Sequence, residues 1–233
     1  RIKPFILRRT KDKIATELPP KTEIIQKLRI EGKQAELYES VRLAMDSRLK
    51  DIIAEKGLKR SQIEVLDALL KLRQVCNHPK LLSLDGAQKV EQSAKLDYLM
   101  ETLPEQIDEG RRILIFSQFT SMLGLIEEAL IAANIGHVKL TGSTTKRQEV
   151  VDKFQRGDVP VFLISLRAGG VGLNLTTADT VIHFDPWWNP AVENQATDRA
   201  HRIGQNKPVF VYKYIIENSI EEKIQRIQQN KAE

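Results

Sequence analysis

Five short apolar segments recur through the second half of this 233-residue chain, and stretches with helical spacing separate most of them. The apolar segments are 113–116, 137–140, 161–165, 180–184 and 209–215, and the helical stretches are about 120–133, 145–156 and 190–203. Apolar strands that alternate with helices are typical of a parallel sheet covered by helices on both faces. The sequence therefore predicts an α/β fold, in which ligands bind at the carboxyl ends of the strands.

The first 85 residues have a different pattern, which indicates a helical hairpin. After a predicted strand at about 23–30, apolar residues recur at helical spacing over 33–56, and Gly57 ends the pattern. A second helix is predicted to begin at a capping box formed by Ser61 and Glu64 and to end at the sequence Asn-His-Pro. A final amphipathic helix is predicted near the end of the chain, at about 219–230.

Charge and cysteine content narrow the class of protein. The net charge is +5, and basic residues concentrate in the first thirteen positions, which suits an anionic partner or a solvated terminal segment. The single cysteine, Cys76, excludes an internal disulfide, and the four histidines do not form a metal-ligand set. No apolar run is long enough to span a bilayer, and no signal-peptide cleavage site follows the basic segment. We expect a soluble intracellular protein with no membrane partner and no metal site of its own.

Arg199 and Arg202 lie three residues apart on the helix predicted over 190–203. Guanidinium groups held side by side on a rigid backbone suit a spread-out anionic charge such as a transferring phosphoryl group. Surface ion pairs with Asp198 or Glu193 explain the same spacing equally well. On that helix an apolar stripe, with two small residues that allow close packing on the sheet, is formed by Val192, Ala196, Ala200 and Ile203.

The parts of a nucleotide site that would accompany such arginines are missing. The chain has no G-x-x-x-x-G-K-[ST] phosphate loop, and no Asp-Glu acidic box follows a strand. Nothing in the sequence is therefore suited to cradle the phosphates and hold magnesium. We expect the arginines to act in trans, on a nucleotide that is bound elsewhere.

Three motifs follow predicted strands, and each allows two interpretations. The glycine-rich turn that contains Gly169 and Gly170 suits close approach to a phosphate, or a tight turn packed on its neighbours. The segment "LTGSTTKRQ" suits a sugar–phosphate backbone, or an ordinary helix start with a charged first turn. Trp187 and Trp188, between two prolines, suit stacking on a base or covering the end of the core.

Taken together, these motifs resemble a known family. "ILIFSQFT", "LTGSTTKRQEVVDKF", "SLRAGGVGLNLTTADTVIHFDPWWNPA" and "NQATDRAHRIGQ" occur in the order and spacing of the late helicase motifs of Swi/Snf-type ATPases. "LRRTKDKIATELPPKTE" and "LRQVCNHPKLL" resemble the stretch that precedes them. The resemblance covers nearly the whole chain and implies the C-terminal RecA-like lobe of a DNA translocase of helicase superfamily two.

The resemblance also implies roles for individual residues. Arg199 and Arg202 match catalytic arginine fingers that reach ATP on the first lobe. The positions implied in nucleotide binding and coupling are Gly169, Gly170, Gln195 and Gln205. The positions implied at or near DNA are Ser117, Gln118, Gly142, Ser143, Thr144, Lys146, Arg147, Arg167, Asn174 and Trp188.

The same resemblance implies an organisation and a set of partners. An interlobe segment with a helical protrusion is expected at 1–85, the RecA-like lobe at 86–216 and a brace helix at 217–233. The implied cofactor is ATP with Mg²⁺, bound mainly by a first lobe, and the implied partners are that lobe and double-stranded DNA. We expect a monomeric motor. The passage at about 83–110 leaves no room for a large inserted domain, which favours a prokaryotic member in the cytoplasm or nucleoid; a eukaryotic member would lie in the nucleus. An RNA-helicase lobe and a non-catalytic RecA-like interaction module remain the alternatives.

Overall fold

A computed structural model describes residues 18–168 and 173–232. The basic segment at the start of the sequence and the glycines Gly169 and Gly170 lie outside the described residues. The architecture below is therefore that of these two stretches.

One parallel sheet organises the described residues. Its six strands are β1 (Lys21–Leu28), β2 (Ile113–Ser117), β3 (His137–Leu140), β4 (Val161–Ser165), β5 (Thr180–His183) and β6 (Val209–Ile216). The strands lie in the order β1-β6-β5-β2-β4-β3, and every neighbouring pair is parallel. The five strands predicted in the second half are confirmed to within two residues at their ends.

Seven α-helices accompany this sheet in the described stretches. They are α1 (Gly32–Lys56), α2 (Gln62–Asn77), α3 (Ala94–Asp108), α4 (Thr120–Ala132), α5 (Arg147–Gln155), α6 (Pro190–Thr197) and α7 (Ile220–Ala232). Short 3-10 turns lie between α1 and α3, at Lys59–Ser61, Pro79–Leu81 and Ala87–Lys89. No helix among the described residues has the length and apolar character needed to cross a membrane.

The two faces of the sheet carry separate apolar cores, because successive side chains of a strand point to opposite faces. Leu114 and Phe116 of β2 pack with residues of α5 and α6, whereas Ile113 and Ile115 pack with residues of α3 and α4. All residues of β2, β4 and β5 are buried. Helices thus cover both faces, and the predicted α/β fold is confirmed.

The N-terminal part of the chain is joined to this sheet as well as forming the predicted hairpin. Strand β1 pairs along its full length with β6, from the pair Lys21–Val209 to the pair Leu28–Ile216. Helices α1 and α2 form the hairpin and share a third apolar cluster with α7. The sequence predicted the strand and the hairpin, but it did not indicate that the strand would become an edge of the parallel sheet.

Two local predictions about helix ends were wrong. Ser61 does not form a capping box, because its hydroxyl donates back to the Gly57 carbonyl (2.8 Å) and Glu64 pairs with Lys56 (3.7 Å). The helix predicted over 190–203 ends at Thr197. Ala200 beyond it is buried as expected, but Ile203 is 67% exposed and does not extend the apolar stripe.

A buried ion pair joins α3 to α7. Lys95 Nζ lies 2.6 Å from Glu221 Oε2 and donates to the Phe184 carbonyl at 2.7 Å. The other carboxylate oxygen of Glu221 accepts from the Ile216 amide (2.9 Å). Burial raises the pKa of Glu221, and the Lys95 ammonium counteracts that rise. Both side chains are enclosed, so each depends on the other for its compensating charge.

We predict that Lys95→Met lowers the free energy of unfolding by about 3–5 kcal/mol, because it leaves a buried carboxylate without its cation. Chemical denaturation followed by circular dichroism measures the change. Lys95→Met/Glu221→Gln buries no charge and keeps an acceptor for Ile216, so most of the stability should return. A double variant as unstable as Lys95→Met would contradict this role for the pair.

Candidate functional site

A cleft of about 480 Å³ opens at the carboxyl ends of the strands. Gln118 follows β2, Gly142 follows β3, Arg167 follows β4 and Trp187 follows β5, and all four line it. Arg73 reaches the same cleft from α2. Residues from four separate sequence motifs therefore meet at one edge of the sheet, as expected for a parallel α/β fold.

Asp185 holds the turn after β2 in place. Its carboxylate accepts hydrogen bonds from the Ser117 hydroxyl and from the Gln118 amide, the latter at 3.1 Å. The Ser117 hydroxyl in turn accepts from the Phe119 amide (3.1 Å). Ser117 is only 1% exposed, so its side chain positions the turn, and its place at or near DNA stays a prediction.

The two tryptophans occupy different environments. Trp187 is half-buried and lines the cleft, whereas Trp188 packs against the apolar cluster shared by α1, α2 and α7. The sequence left stacking and core covering open for either ring. The structure places Trp187 with the cleft residues, and the DNA contact predicted for Trp188 stays a prediction.

The turn between β3 and α5 presents polar groups to solvent. Its shape depends on Thr144, whose hydroxyl accepts from the Thr141 amide (2.9 Å), and Ser143 bonds the Thr141 hydroxyl (3.0 Å). These hydroxyls do not cap α5, which begins at Arg147 with no side-chain cap at Lys146. The ordinary helix-start interpretation of this motif is therefore wrong.

Gly142 leaves open space beside its backbone. A Cβ built at Gly142 meets nothing of the chain within 4 Å. Ser143 and Lys146 are also exposed. The backbone at this point can therefore be approached closely by a ligand, as a phosphate contact requires.

The predicted arginine pair lies in the turns after α6. The Arg199 carbonyl accepts from the Leu175 amide (2.9 Å), and an Arg202 guanidinium nitrogen donates to the Leu173 carbonyl (3.4 Å). Arg199 is only 7% exposed, whereas Arg202 is exposed. Glu193, one of the suggested ion-pair partners, is buried and lies 3.4 Å from Lys213.

Arg147 is the charged residue that shifts the pKa of Arg199. Burial lowers the pKa of Arg199, and the positive charge of Arg147 lowers it further. Arg147 also donates to the Ala168 carbonyl, directly before the glycine-rich turn. The structure thus brings Arg147, predicted to contact DNA, into the electrostatic neighbourhood of Arg199, predicted to contact nucleotide.

The remaining predicted residues differ in how much of their side chain is exposed to solvent. Gln195 and Asn174 are exposed, and Asn174 accepts from the Thr176 amide at 3.3 Å. Gln205 is buried and donates to the carbonyls of Ala178 (2.7 Å) and Ala200 (2.8 Å). Its amide therefore holds the segment that carries Arg202, and its contact with nucleotide stays a prediction.

Arg73 was not among the predicted site residues. It lies within "LRQVCNHPKLL", which resembles the family's stretch before the late motifs, but an arginine on a helix is too common to indicate a site residue alone. Its position depends on long-range packing between α2 and the strand ends. In the structure its guanidinium donates to the Gln118 side chain within the cleft.

His183 connects β5 with the end of α6. Its Nε2 hydrogen-bonds Thr197 Oγ1 at 2.9 Å, and its ring stacks on Phe116 with centroids 5.6 Å apart. Burial, with a smaller effect of the Lys213 charge, lowers the pKa of His183 from 6.5 to about 3. The imidazole is therefore neutral where it supports the segment leading to Arg199.

Comparison with protein families identifies two matching models. One described as "Helicase conserved C-terminal domain" matches residues 94–204, and one described as "SNF2-related domain" matches residues 1–81. A putative ATP-dependent helicase/translocase, YwqA of Bacillus subtilis, is 41% identical over 96% of the chain. The ISWI chromatin-remodeling complex ATPase ISW1 of Saccharomyces cerevisiae is 37% identical over 96%. The chain spans only 24% and 20% of the lengths of these two relatives.

Two solved structures match this chain over a larger share of their own length than these relatives do. The C-terminal domain of a Sulfolobus solfataricus SWI2/SNF2 ATPase is 35% identical, with a TM-score of 0.73, covering 91% of this chain and 86% of that one. The ATPase core from the same organism, in complex with double-stranded DNA, is 36% identical with a TM-score of 0.75. That match covers 92% of this chain and 45% of the core.

The low pKa of His183 has a consequence for stability. Because the unfolded chain protonates this residue below about pH 6.5 and the folded chain does not until about pH 3, the free energy of unfolding should fall as the pH drops through that range. His183→Gln keeps a hydrogen-bonding group and removes the titration. Between about pH 6 and about pH 4, we predict that the wild type loses about 2–3 kcal/mol more than this variant. Denaturation curves at both pH values measure this, and equal losses would contradict it.

Proposed function

Because the chain belongs to the SWI2/SNF2 family of ATP-dependent helicases, we propose that it is the C-terminal motor lobe of a double-stranded-DNA translocase. In this proposal Arg199 and Arg202 act in trans on ATP that a first RecA-like lobe binds. The turns at the carboxyl edge of the sheet grip the DNA backbone. Alternate closing and opening of the two lobes then moves DNA stepwise.

The main support for the proposal is one segment, because one end lies at the proposed DNA site and the other at the proposed nucleotide site. The segment 165–175 begins at the cleft, where Ser165 and Arg167 line the wall. It ends beside the arginines, where Leu173 accepts from Arg202 and the Leu175 amide donates to Arg199. Residues close together in sequence therefore lie at both proposed sites, and we propose that residues 169–172 between them, outside the described residues, connect the two, as a DNA-dependent ATPase needs.

The arginines are suited to the nucleotide side. A guanidinium remains charged in proteins even where burial lowers its pKa, so Arg199 keeps its positive charge although it is buried. Arg202 is exposed and lies in the turn that Gln205 holds. ATP with Mg²⁺ would supply the phosphoanhydride bond and the negative charge that develops when it breaks. Planar guanidinium groups bind phosphate oxygens through bidentate hydrogen bonds. Gly169, Gly170 and Gln195 belong to the same proposed surface.

The cleft edge is suited to the DNA side. Arg167 and Lys146 are exposed cations, and Gly142 leaves its backbone open to close approach. Ser143, Thr144 and Gln118 add hydroxyl and amide groups of the kind that contact sugar and phosphate. The solved SWI2/SNF2 core bound to double-stranded DNA supports duplex DNA as the polymer. Arg147, Asn174 and Trp188 are proposed as flanking contacts.

The proposal includes an organisation for the chain and its setting. Residues 1–85 would form the interlobe segment and helical protrusion, 86–216 the RecA-like lobe, and 217–233 a brace helix. The family-model matches to residues 1–81 and 94–204 support a change of role near residue 85. We propose a monomeric motor in a prokaryotic cytoplasm or nucleoid, with a first lobe of the same protein as its partner.

The decisive test is ATP hydrolysis by a two-lobed protein that contains this chain, with Arg199→Lys and Arg202→Lys compared with the wild type. Lysine keeps the charge but loses the planar fork, so we predict a fall in DNA-stimulated turnover of about 10³-fold or more. ATP binding, measured by fluorescent-nucleotide titration, should be retained, because the first lobe holds the nucleotide.

Arg156→Lys is the matched control, since Arg156 is exposed and pairs with Asp158 away from both sites. Its turnover should equal that of the wild type. Unchanged turnover in the Arg199 and Arg202 variants would contradict the trans-acting role. Stimulation by RNA in place of duplex DNA would favour the RNA-helicase alternative, and absence of turnover in the wild type would favour the interaction module.

The 233-residue chain alone should hydrolyse ATP at no more than the rate of an assay blank, because it has no phosphate loop. Phosphate release measured with and without duplex DNA checks this. Turnover that Arg202→Ala abolishes would show that the chain holds a complete site and would contradict action in trans.

A further inference from the structure

Arg73 lies in the cleft, but none of the helicase motifs assigns it a function. It is near the end of α2, in the helical hairpin, and reaches across to the ends of β2 and β5. It is only 8% exposed, although it lines the cleft wall. Its guanidinium group therefore lies behind the surface that a ligand would touch.

We propose that Arg73 is a positioning residue that fixes the Gln118 carboxamide and the Trp187 ring, so that the cleft is preformed for duplex DNA. The inference rests on the proposed function, because it takes DNA as the ligand of the cleft. It deepens that function by naming a side chain of the hairpin on which the geometry of the DNA-contacting turns depends.

The first support is a set of aromatic contacts around one cation. The guanidinium carbon of Arg73 lies 5.4 Å from the ring centroid of Trp187 and 5.6 Å from those of Trp188 and Phe119. Contacts within about 6 Å are attractive cation–π interactions, and they strengthen where water is excluded. Arg73 therefore holds together aromatic residues from the turns after β2 and β5.

The second support is the orientation of Gln118. Its side-chain oxygen accepts from Arg73 Nη2, and its side-chain nitrogen donates to the Pro186 carbonyl at 3.3 Å. With both ends bonded, the carboxamide has one orientation, and loss of Arg73 would free the oxygen end. Gln118 is one of the residues proposed to meet the DNA backbone.

The third support is the difference between Arg73 and Arg167. Both guanidinium groups contact the Trp187 ring, with Arg167 at 6.0 Å from its centroid, but Arg167 is exposed and Arg73 is buried. The exposed cation is the one placed to meet a phosphate. The buried cation is placed to hold the ring and the Gln118 side chain against which that phosphate would lie.

The opposite side of the Trp187 loop is anchored independently. The Trp187 amide donates to Glu193 Oε2 at 2.7 Å, and Glu193 belongs to α6, the helix that leads to Arg199. The loop is therefore held by α6 through its backbone and by α2 through its ring. Loss of Arg73 should loosen the ring side while the backbone anchor remains, so the fold should survive the substitution.

The test uses the 233-residue chain, whose only two tryptophans both contact Arg73. Arg73→Met keeps an apolar stem without a cation, and Arg73→Lys keeps the charge without the planar fork. Arg60→Lys, an exposed arginine at the tip of the same hairpin, is the matched control. Tryptophan emission spectra and fluorescence-anisotropy titrations with a labelled DNA duplex are recorded for each.

We predict that Arg73→Met shifts the tryptophan emission to longer wavelength and weakens duplex binding about tenfold, because the ring and the carboxamide lose their fixed positions. Arg73→Lys should weaken binding by a smaller factor, and Arg60→Lys should match the wild type. Gln118→Ala added to Arg73→Met should cause little further loss, because Arg73 acts through Gln118 and the two effects are not additive.

The inference would be overturned if the Arg73 variants bind and emit like the wild type, or if the losses of Arg73→Met and Gln118→Ala multiply independently. Thermal unfolding identifies a variant that fails to fold, and in that case Arg73→Lys and Gln118→Ala, each alone and combined, decide the coupling. A wild-type chain that binds no duplex would instead refute the proposed DNA function. The emission shift would still report whether Arg73 positions the ring.

Discussion

The buried Lys95–Glu221 ion pair is the interaction on which the carboxyl edge of the sheet, where the cleft opens, depends. Lys95 opens α3, Glu221 lies in the first turn of α7, and the ammonium also binds the carbonyl of Phe184 at the end of β5. The next residue is Asp185, whose carboxylate holds the turn that carries Gln118. The buried charge pair is therefore connected to the turn at the cleft through two consecutive residues, Phe184 and Asp185.

Two cations of the candidate site, Arg147 and Arg199, influence each other electrostatically. Arg147 and Arg199 lie close enough for one charge to lower the pKa of the other, and burial adds to the effect. Arg147 also bonds the carbonyl of Ala168, which lines the cleft, so it lies between the cleft and Arg199. Phosphate groups are present on both proposed ligands, so the same residue types serve both sides.

The sequence predicted the layers of the fold well and its long-range contacts poorly. Strands such as β2 and β4 were predictable because buried parallel strands are continuously apolar. The end of α6 was not, because Leu175 and Gln205 bind the backbone at Arg199 and Ala200 and turn the chain away from a helix. These bonds join parts of the chain that local periodicity does not relate.

The candidate site was likewise predictable where it follows from motif order and not where it depends on long-range contacts. Motif order brought Gln118, Gly142 and Arg167 to one edge, because strand ends meet in a parallel sheet. The bond between the Ser117 hydroxyl and Asp185 was not predicted, because residue type does not reveal which hydroxyl a buried carboxylate will bind. Arg73 was missed because its partners lie in the strand-end turns.

The position of Arg73 and the pairing of β1 also limit where a motor of this kind can move. The N-terminal part of the chain reads as a separate helical unit, yet β1 pairs with β6 along its whole length and Arg73 enters the cleft. Motion of the hairpin against the sheet would open the apolar cluster that it shares with Ile216 and α7 and leave a buried guanidinium without its aromatic neighbours, which is costly. The hairpin and the sheet therefore act as one body, and the movement that ATP drives in the proposed mechanism belongs between this body and the first lobe.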